Sequence, residues 1–317
     1  MSRCLGVTMG LDSRIARLEG DSAPSTQERF SLATGFLIAC RPKQWVKNVF
    51  VLTPLPFLLA DGGVKGLANL GIIFAAYCMA ASSVYLFNDV HDADRDRAHY
   101  VKSRRPVAAG SLPIKAALIG TALLALVSSA IGMAINPQVL ICVVAYLVLG
   151  HLYTVVGKHV PLLDIALVGS FYSLRVLAGF SAASLFPTEW FAWLVLAGLL
   201  VMAGELGKRK SERQRLGNRI DTRLTLAFYS DMRVTILYLL ISSIIVATYP
   251  IAALSVATGF VLSTVLVVAG LIRFWLDLKR LCEDTHPQEV ILHDWVLVAI
   301  LVMFSLSLVT TVISTRS

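Results

Sequence analysis

The stretch AAYCMAASSVYLFNDVHDADRDR, Ala75 to Arg97, runs an apolar segment directly into four aspartates within ten residues. Its first half reads as the end of a membrane span. Carboxylates at that depth are costly to desolvate, so they persist where cations or a ligand offset them. On a helix, Asn88, Asp92 and Asp96 are four apart and Asp89 lies three before Asp92, so all four are expected on one side of the helix. Hard oxygen ligands of this kind suit magnesium, which keeps several waters and is completed by substrate phosphates. The plain alternative is a solvated helix end on which Asp and Arg alternate. His91 and Asp94 face the other way and are expected at the surface.

The rest of the chain agrees with a membrane setting. Of its 317 residues, 56% are apolar and only 15% charged, and the mean hydropathy is +0.73, far from a soluble composition. Apolar runs long enough to cross a bilayer lie near 31–60 (interrupted by a polar box), 67–88, 114–134, 138–156, 161–182, 190–207, 234–254, 256–276 and 294–315. The expected fold is therefore all-α: a polytopic membrane protein with nine transmembrane helices. Residues 1–30 mix Ser, Gly, Asp and Arg without an apolar centre and are expected to form a flexible cytosolic tail, leaving 31–317 as the membrane domain.

Lys and Arg are almost confined to one face. They fill the N-terminal segment, the polar box and the even-numbered connections, whereas the opposite face carries only Lys65 and Arg316. The positive-inside rule then places the N-terminus in the cytoplasm, and a net charge of +8 on one surface attracts anionic lipid headgroups and phosphorylated ligands. No basic soluble domain is present, which argues against nucleic acid as a partner. The five cysteines show no paired spacing and read as packing residues. The composition allows a homo-oligomer without specifying one.

NDVHDADRDR matches the first aspartate-rich motif, N-D-x-x-D-x-x-x-D, of the UbiA superfamily of intramembrane prenyltransferases, and RRPVAAG (Arg104 to Gly110) resembles that superfamily's Arg-Pro stretch. The resemblance implies a UbiA-like bundle of nine helices with its N-terminus inside and a Mg2+-dependent site on the cytoplasmic face of the cell membrane. Ordinary members carry a second aspartate-rich motif after the sixth helix. Here that connection reads GELGKRKSERQRLGNRIDTR, in which Lys208, Arg209, Lys210, Arg213 and Arg215 outnumber the acids.

RPKQWVKNVFVLTPLPF (Arg41 to Phe57), LYTVVGKHVPLLDIALVGSFYSLRVLAG (Leu152 to Gly179), GKRKSE (Gly207 to Glu212) and PQEVILHDWVL (Pro287 to Leu297) together resemble the decaprenyl-phosphate phosphoribosyltransferase branch. That branch moves the 5-phosphoribosyl group of phosphoribosyl pyrophosphate (PRPP) to a polyprenyl phosphate, a step toward a lipid-linked arabinose donor for cell-wall arabinan. The likeness implies that Asn88, Asp89, Asp92 and Asp96 hold metal and diphosphate, with Asp89, Asp92, Asp96 and Asp164 as the catalytic carboxylates. Lys47, Asn48, Arg105, Tyr153, Lys158, Arg175, Lys208 and Arg209 are the expected PRPP and phosphate contacts. Asn48 is expected either at the ribose or orienting Lys47. Asp164 and Arg175 share one face of an apolar span and are each expected to have an ion partner. Glu205 is expected beside Lys208 or Arg209, and Arg273 beside Asp294.

Two other readings compete. Prenyl transfer from a diphosphate to an aromatic or tetrapyrrole acceptor fits the first motif but predicts a second acidic one. A transporter predicts charge near the bilayer midplane and interrupted helices in matched halves, whereas charge here gathers at one face.

Overall fold

The computed structural model describes residues 31–55, 58–59, 64–185, 191–216, 224–254, 261–280 and 294–314, so the expected N-terminal tail lies outside the described residues. These fold entirely as helix and turn. The α-helices are α1 Leu32–Ala39, α2 Val64–His91, α3 Ala93–Arg97, α4 Ile114–Ile135, α5 Pro137–Val155, α6 Leu163–Ala182, α7 Phe191–Leu216, α8 Leu224–Phe228, α9 Asp231–Leu254, α10 Val261–Arg280 and α11 Trp295–Ser314. Five contain stretches long and apolar enough to cross a membrane: Lys65–His91, Ile114–Ile135, Pro137–Val155, Leu163–Ala182 and Asp231–Pro250.

Three expected boundaries are corrected. The span expected over 31–60 is two pieces, α1 and a long 3₁₀ helix, Pro42–Leu52, with Arg41 between them in the left-handed region (φ 52°) and Pro42 starting the new helix. The basic stretch after Gly207, expected as a connection, is helical to Leu216. The acidic helix stops at His91, and Asp92 stands at a break (φ −94°, ψ 3°) before α3.

Helices α2 and α6 form the centre, being 61% and 56% buried, while α4 and α9 are peripheral at 22% and 28%. Around α2 pack α4, α5, α6 and the 3₁₀ segment, and α6 joins them to α7, against which α9 lies. Among the described residues three apolar clusters result, of which two are larger. One unites Leu70, Ile73 and Tyr77 of α2 with Val139 and Val143 of α5 and Ala178 of α6. The other unites Ile165 of α6 with Leu196 and Leu206 of α7 and Tyr238 and Ile245 of α9. Between α6 and α7 the backbones approach closely: a Cβ on Gly169 would lie 2.9 Å from the Gly198 carbonyl oxygen. Small residues of this kind let helices associate in lipid. At the end away from the aspartates, Asn136 caps α5 by accepting from Val139 N (2.8 Å) and donates to Ser181 O (2.9 Å).

The 3₁₀ segment positions the site through its period. Three residues per turn stack i and i+3, which sorts it into ridges. Trp45, Asn48 and Val51 face inward: Trp45 Nε1 donates to Ser82 Oγ (3.1 Å), and Asn48 and Val51 are buried. Lys43, Val46 and Val49 are exposed. Arg41, Lys47 and Phe50 form the third ridge, with Arg41 paired to Asp89 and Phe50 edge-on to Tyr172 of α6 (4.9 Å).

Candidate active site

The site gathers where α2 ends. The last turn of α2 and the residues just after it give the motif carboxylates two sets of cation partners. Asp89, 2% exposed, pairs with Arg41, and its Oδ1 lies 3.3 Å from Arg105 Nη1. Asp96 joins the same nitrogen at 2.6 Å. Asp92 turns instead to Lys158, whose Nζ lies 2.5 and 2.6 Å from its two carboxylate oxygens, with His91 Nδ1 at 3.2 Å. The three motif carboxylates thus take different cations, while the backbone keeps its helical hydrogen bonds through the break, from Asp92 N to Asn88 O (2.9 Å) and from Asp96 N to Asp92 O (2.8 Å). Burial by itself pushes the Asp92 carboxyl up, but hydrogen bonds from Lys158 and His91 hold it below the usual carboxylate range. Asp94 is at the surface as expected, paired with Arg97.

Beneath this acidic rim lies a cationic floor. Arg175 is 3% exposed within α6. Its Nε donates to Asn48 Oδ1 (2.8 Å), Nη1 to Phe171 O (3.0 Å) and Nη2 to Tyr146 OH (3.0 Å). Its guanidinium lies over the rings of Tyr146 (4.8 Å) and Tyr172 (5.1 Å). Among the described residues it pairs with no carboxylate, contrary to the expected ion partner. Stacking between π faces and three hydrogen bonds replace one. Asn48 is buried and spent on Arg175 and Cys78 Sγ (3.3 Å), so it orients Arg175, where orientation of Lys47 or contact with ribose was expected. Lys47, half-buried, has Lys208, Arg175 and Arg41 as its cationic neighbours and Glu205 as its acidic one. Lys208 is half-exposed, 3.7 Å from Glu205, as expected of that acid. Tyr153 stands edge-on to Phe171 (6.0 Å).

Two expected site residues are committed to each other. Asp164, 1% exposed, accepts from Tyr229 OH and from Ile165 N (2.9 Å), and Arg209 Nε lies 2.8 Å from its Oδ2 without hydrogen-bond alignment. Arg209 also donates to Glu212 (2.9 Å) and is itself buried. This pair ties the start of α6 to the end of α7. A buried ion pair with both partners committed is a structural tie, and it leaves Arg209 little freedom to meet a phosphate. Tyr229 closes the tie, since its hydroxyl also accepts from Leu162 N (2.9 Å), where the backbone is left-handed (φ 67°). Tyr229→Phe is expected to cost about 1.5–3 kcal/mol, read as a lower midpoint of thermal unfolding, with KM for any phosphorylated substrate unchanged. Arg273 Nε meets Asp294 at 2.5 Å as expected, far along the chain from the motif.

The sequence reading missed Arg41, Tyr146, Tyr172 and Tyr229. Arg41 is the start of RPKQWVKN, and its spacing of six from Lys47 is the signal a period of three would have supplied.

The donor set suits a magnesium ion in a limited way. Asp89 and Asp96 aim oxygens at one cationic nitrogen, so a pair of hard ligands already shares a positive centre. Among the described residues no three His, Cys, Asp or Glu side chains converge. A magnesium ion there would need its remaining ligands from waters, Asn88 or substrate oxygens, as is usual for that ion.

Residues 49–293 match the UbiA prenyltransferase family. The chain belongs to that family. Among relatives, the decaprenyl-phosphate phosphoribosyltransferase of Corynebacterium glutamicum is 35% identical over 286 residues, 84% of this chain and 83% of that protein. The protein of the same name from Mycobacterium tuberculosis is 31% identical over 284 residues, 86% of this chain and 92% of its own length. A UbiA homolog from Archaeoglobus fulgidus, solved with GPP and Mg2+, superposes with a TM-score of 0.66 at 19% identity, covering 88% of this chain and 99% of that one. With this fold and its apolar helices, this UbiA member is a multi-pass membrane protein.

Proposed function

We propose that the chain transfers the 5-phosphoribosyl group of PRPP to a polyprenyl phosphate, decaprenyl phosphate by likeness to its relatives, releasing pyrophosphate. The observation that carries this reading is its identity of 35% and 31%, over most of their length, to two proteins named for that activity. The product would be a step toward the arabinose donor for cell-wall arabinan. Residues 31–317 would form one catalytic domain after a cytosolic tail. It would span the cell membrane nine times, with α1 and the 3₁₀ segment as the first pass, the site facing the cytoplasm and anionic lipids around its basic rim.

The chemistry asks little of a base. The C1–O bond to the diphosphate breaks and its electron pair leaves with pyrophosphate, while an acceptor phosphate oxygen, already anionic, bonds to C1. Rate then comes from holding the reactants and spreading the charge of the leaving group. Lys47, Arg105, Lys158 and Lys208 would hold phosphate oxygens, and Tyr153 would flank the sugar. Arg175 directs its remaining N–H groups from the floor, positioned by Asn48 and Tyr146. Asp164 and Arg209 act by fixing α6 against α7. Magnesium, held by Asp89, Asp96 and Asn88, would supply further neutralisation of the donor diphosphate.

The test is transfer of label from PRPP labelled in the ribose into the lipid phase by purified protein in detergent with magnesium and decaprenyl phosphate. The expected result is label in the lipid. No labelled lipid, together with turnover of a prenyl diphosphate and an aromatic acid, would replace this reading with prenyl transfer.

A further inference from the structure

Every carboxylate of the NDVHDADRDR motif that faces the site is engaged by a side-chain cation of this same chain. Arg41 and Arg105 hold Asp89, Arg105 holds Asp96, and Lys158 takes both oxygens of Asp92. The last contact engages both oxygens of one carboxylate. Lys158 and Asp92 are 12% and 17% exposed, so water screens their attraction weakly. It also joins elements far apart in sequence: Lys158 lies in the turn Gly157–His159 that leads into α6, while Asp92 lies at the break after α2.

Resting on the proposed donor and metal site, we propose that Lys158 is a latch on Asp92 that makes metal binding depend on the phosphorylated donor. A metal ion arriving alone has to compete with an ammonium already seated between both Asp92 oxygens, and pays for separating a partly buried ion pair. A donor phosphate offers Lys158 a second anionic partner. Once the ammonium moves to phosphate, Asp92 is free to join Asp89 and Asp96. No bond to carbon is made or broken in this exchange; charges change partners, and each cation keeps an anion throughout. Arg105 stands in the same relation to Asp96, and its guanidinium can bridge carboxylate and phosphate because it has five donors. Lys158 has one ammonium and a flexible stem, which suits it to moving. The latch thus makes Lys158 a determinant of binding order as well as a phosphate contact.

Manganese, a paramagnetic substitute for magnesium, reads this directly. The free-ion signal in electron paramagnetic resonance is measured against full-length protein in detergent, with no donor present. Wild type is expected to bind weakly. Lys158→Met and Lys158→Gln are each expected to tighten manganese about tenfold or more, since both remove the competing charge and keep most of the length of the side chain. Arg97→Gln, at an exposed pair outside the site, is expected to leave affinity as in wild type. Near-ultraviolet circular dichroism reports whether the variants keep their packed aromatic residues. Equal affinity in wild type and in either folded Lys158 variant overturns the latch. No binding in any of the four proteins, even at millimolar manganese, overturns the metal assignment itself, and with it the proposed use of the aspartates.

Discussion

Asp89→Asn is expected to lower phosphoribosyl transfer by roughly 10³-fold, the scale on which a single preorganised charge at a reacting centre acts, while the protein still inserts and unfolds at nearly the wild-type temperature. Asparagine keeps the size of aspartate, so the packing of the last turn of α2 is preserved. What it loses is the charge that Arg41 and Arg105 share. Both guanidinia are about a quarter exposed, at 28% and 26%, so each can turn to water, and little folding stability is lost. Transfer has no such remedy, because in the proposed mechanism Asp89 and Asp96 would be the two hard ligands that share one centre. Turnover with labelled PRPP and thermal unfolding in the same detergent check the two halves of this expectation. Asp94→Asn serves as the control, since Asp94 is 94% exposed and is expected to change neither. Wild-type turnover in Asp89→Asn would remove that carboxylate from the chemistry.

Gly179→Ala acts from a distance. A Cβ at residue 179 would lie 2.0 Å from the carbonyl oxygen of Val51 and 2.9 Å from its carbon. Both are backbone atoms, so no side chain can swing aside, and α6 and the 3₁₀ segment have to part. Overpacking of this kind costs about 1–3 kcal/mol or more. The chemical consequence is of similar size to the loss of stability. Val51 shares its ridge with Asn48, which orients Arg175, and the neighbouring ridge carries Arg41 and Lys47. A displacement of about 1 Å at groups that position a substrate is worth about 10²-fold in rate. The expected result is a lowered unfolding midpoint and a fall of about 10²-fold in kcat/KM, measured in the folded fraction. An alanine variant with wild-type kinetics would mean that the 3₁₀ ridge does not place the reacting groups.

Most of the helical framework was legible from the chain alone, for a physical reason. Lipid leaves a backbone no partner but itself, so an apolar run of sufficient length has to become a helix. The runs at 114–134, 138–156 and 161–182 returned as α4, α5 and α6 within a few residues. The first run did not, because its 3₁₀ period depends on the break at Arg41 and on close contact with Gly179. Apolar content does not distinguish a period of 3.0 from 3.6 over eleven residues. The long basic end of α7 was missed for a related reason: hydropathy marks where the bilayer ends, whereas helices continue past it.

The motif residues were also legible as a group. Their spacing, the depth of the aspartates and the wealth of cations were all visible in the one-dimensional pattern. Their pairing was not. Arg41 meets Asp89, Lys158 meets Asp92, Tyr229 meets Asp164, and Arg175 meets Asn48, and each of these pairs joins separate elements of the bundle. Composition determined that this protein spans a membrane and carries opposed charge where its second helix ends, since burial and repulsion act on residue type and local spacing. Only the tertiary structure decided which cation neutralises which carboxylate, because that choice depends on distances of a few ångströms between elements far apart in sequence.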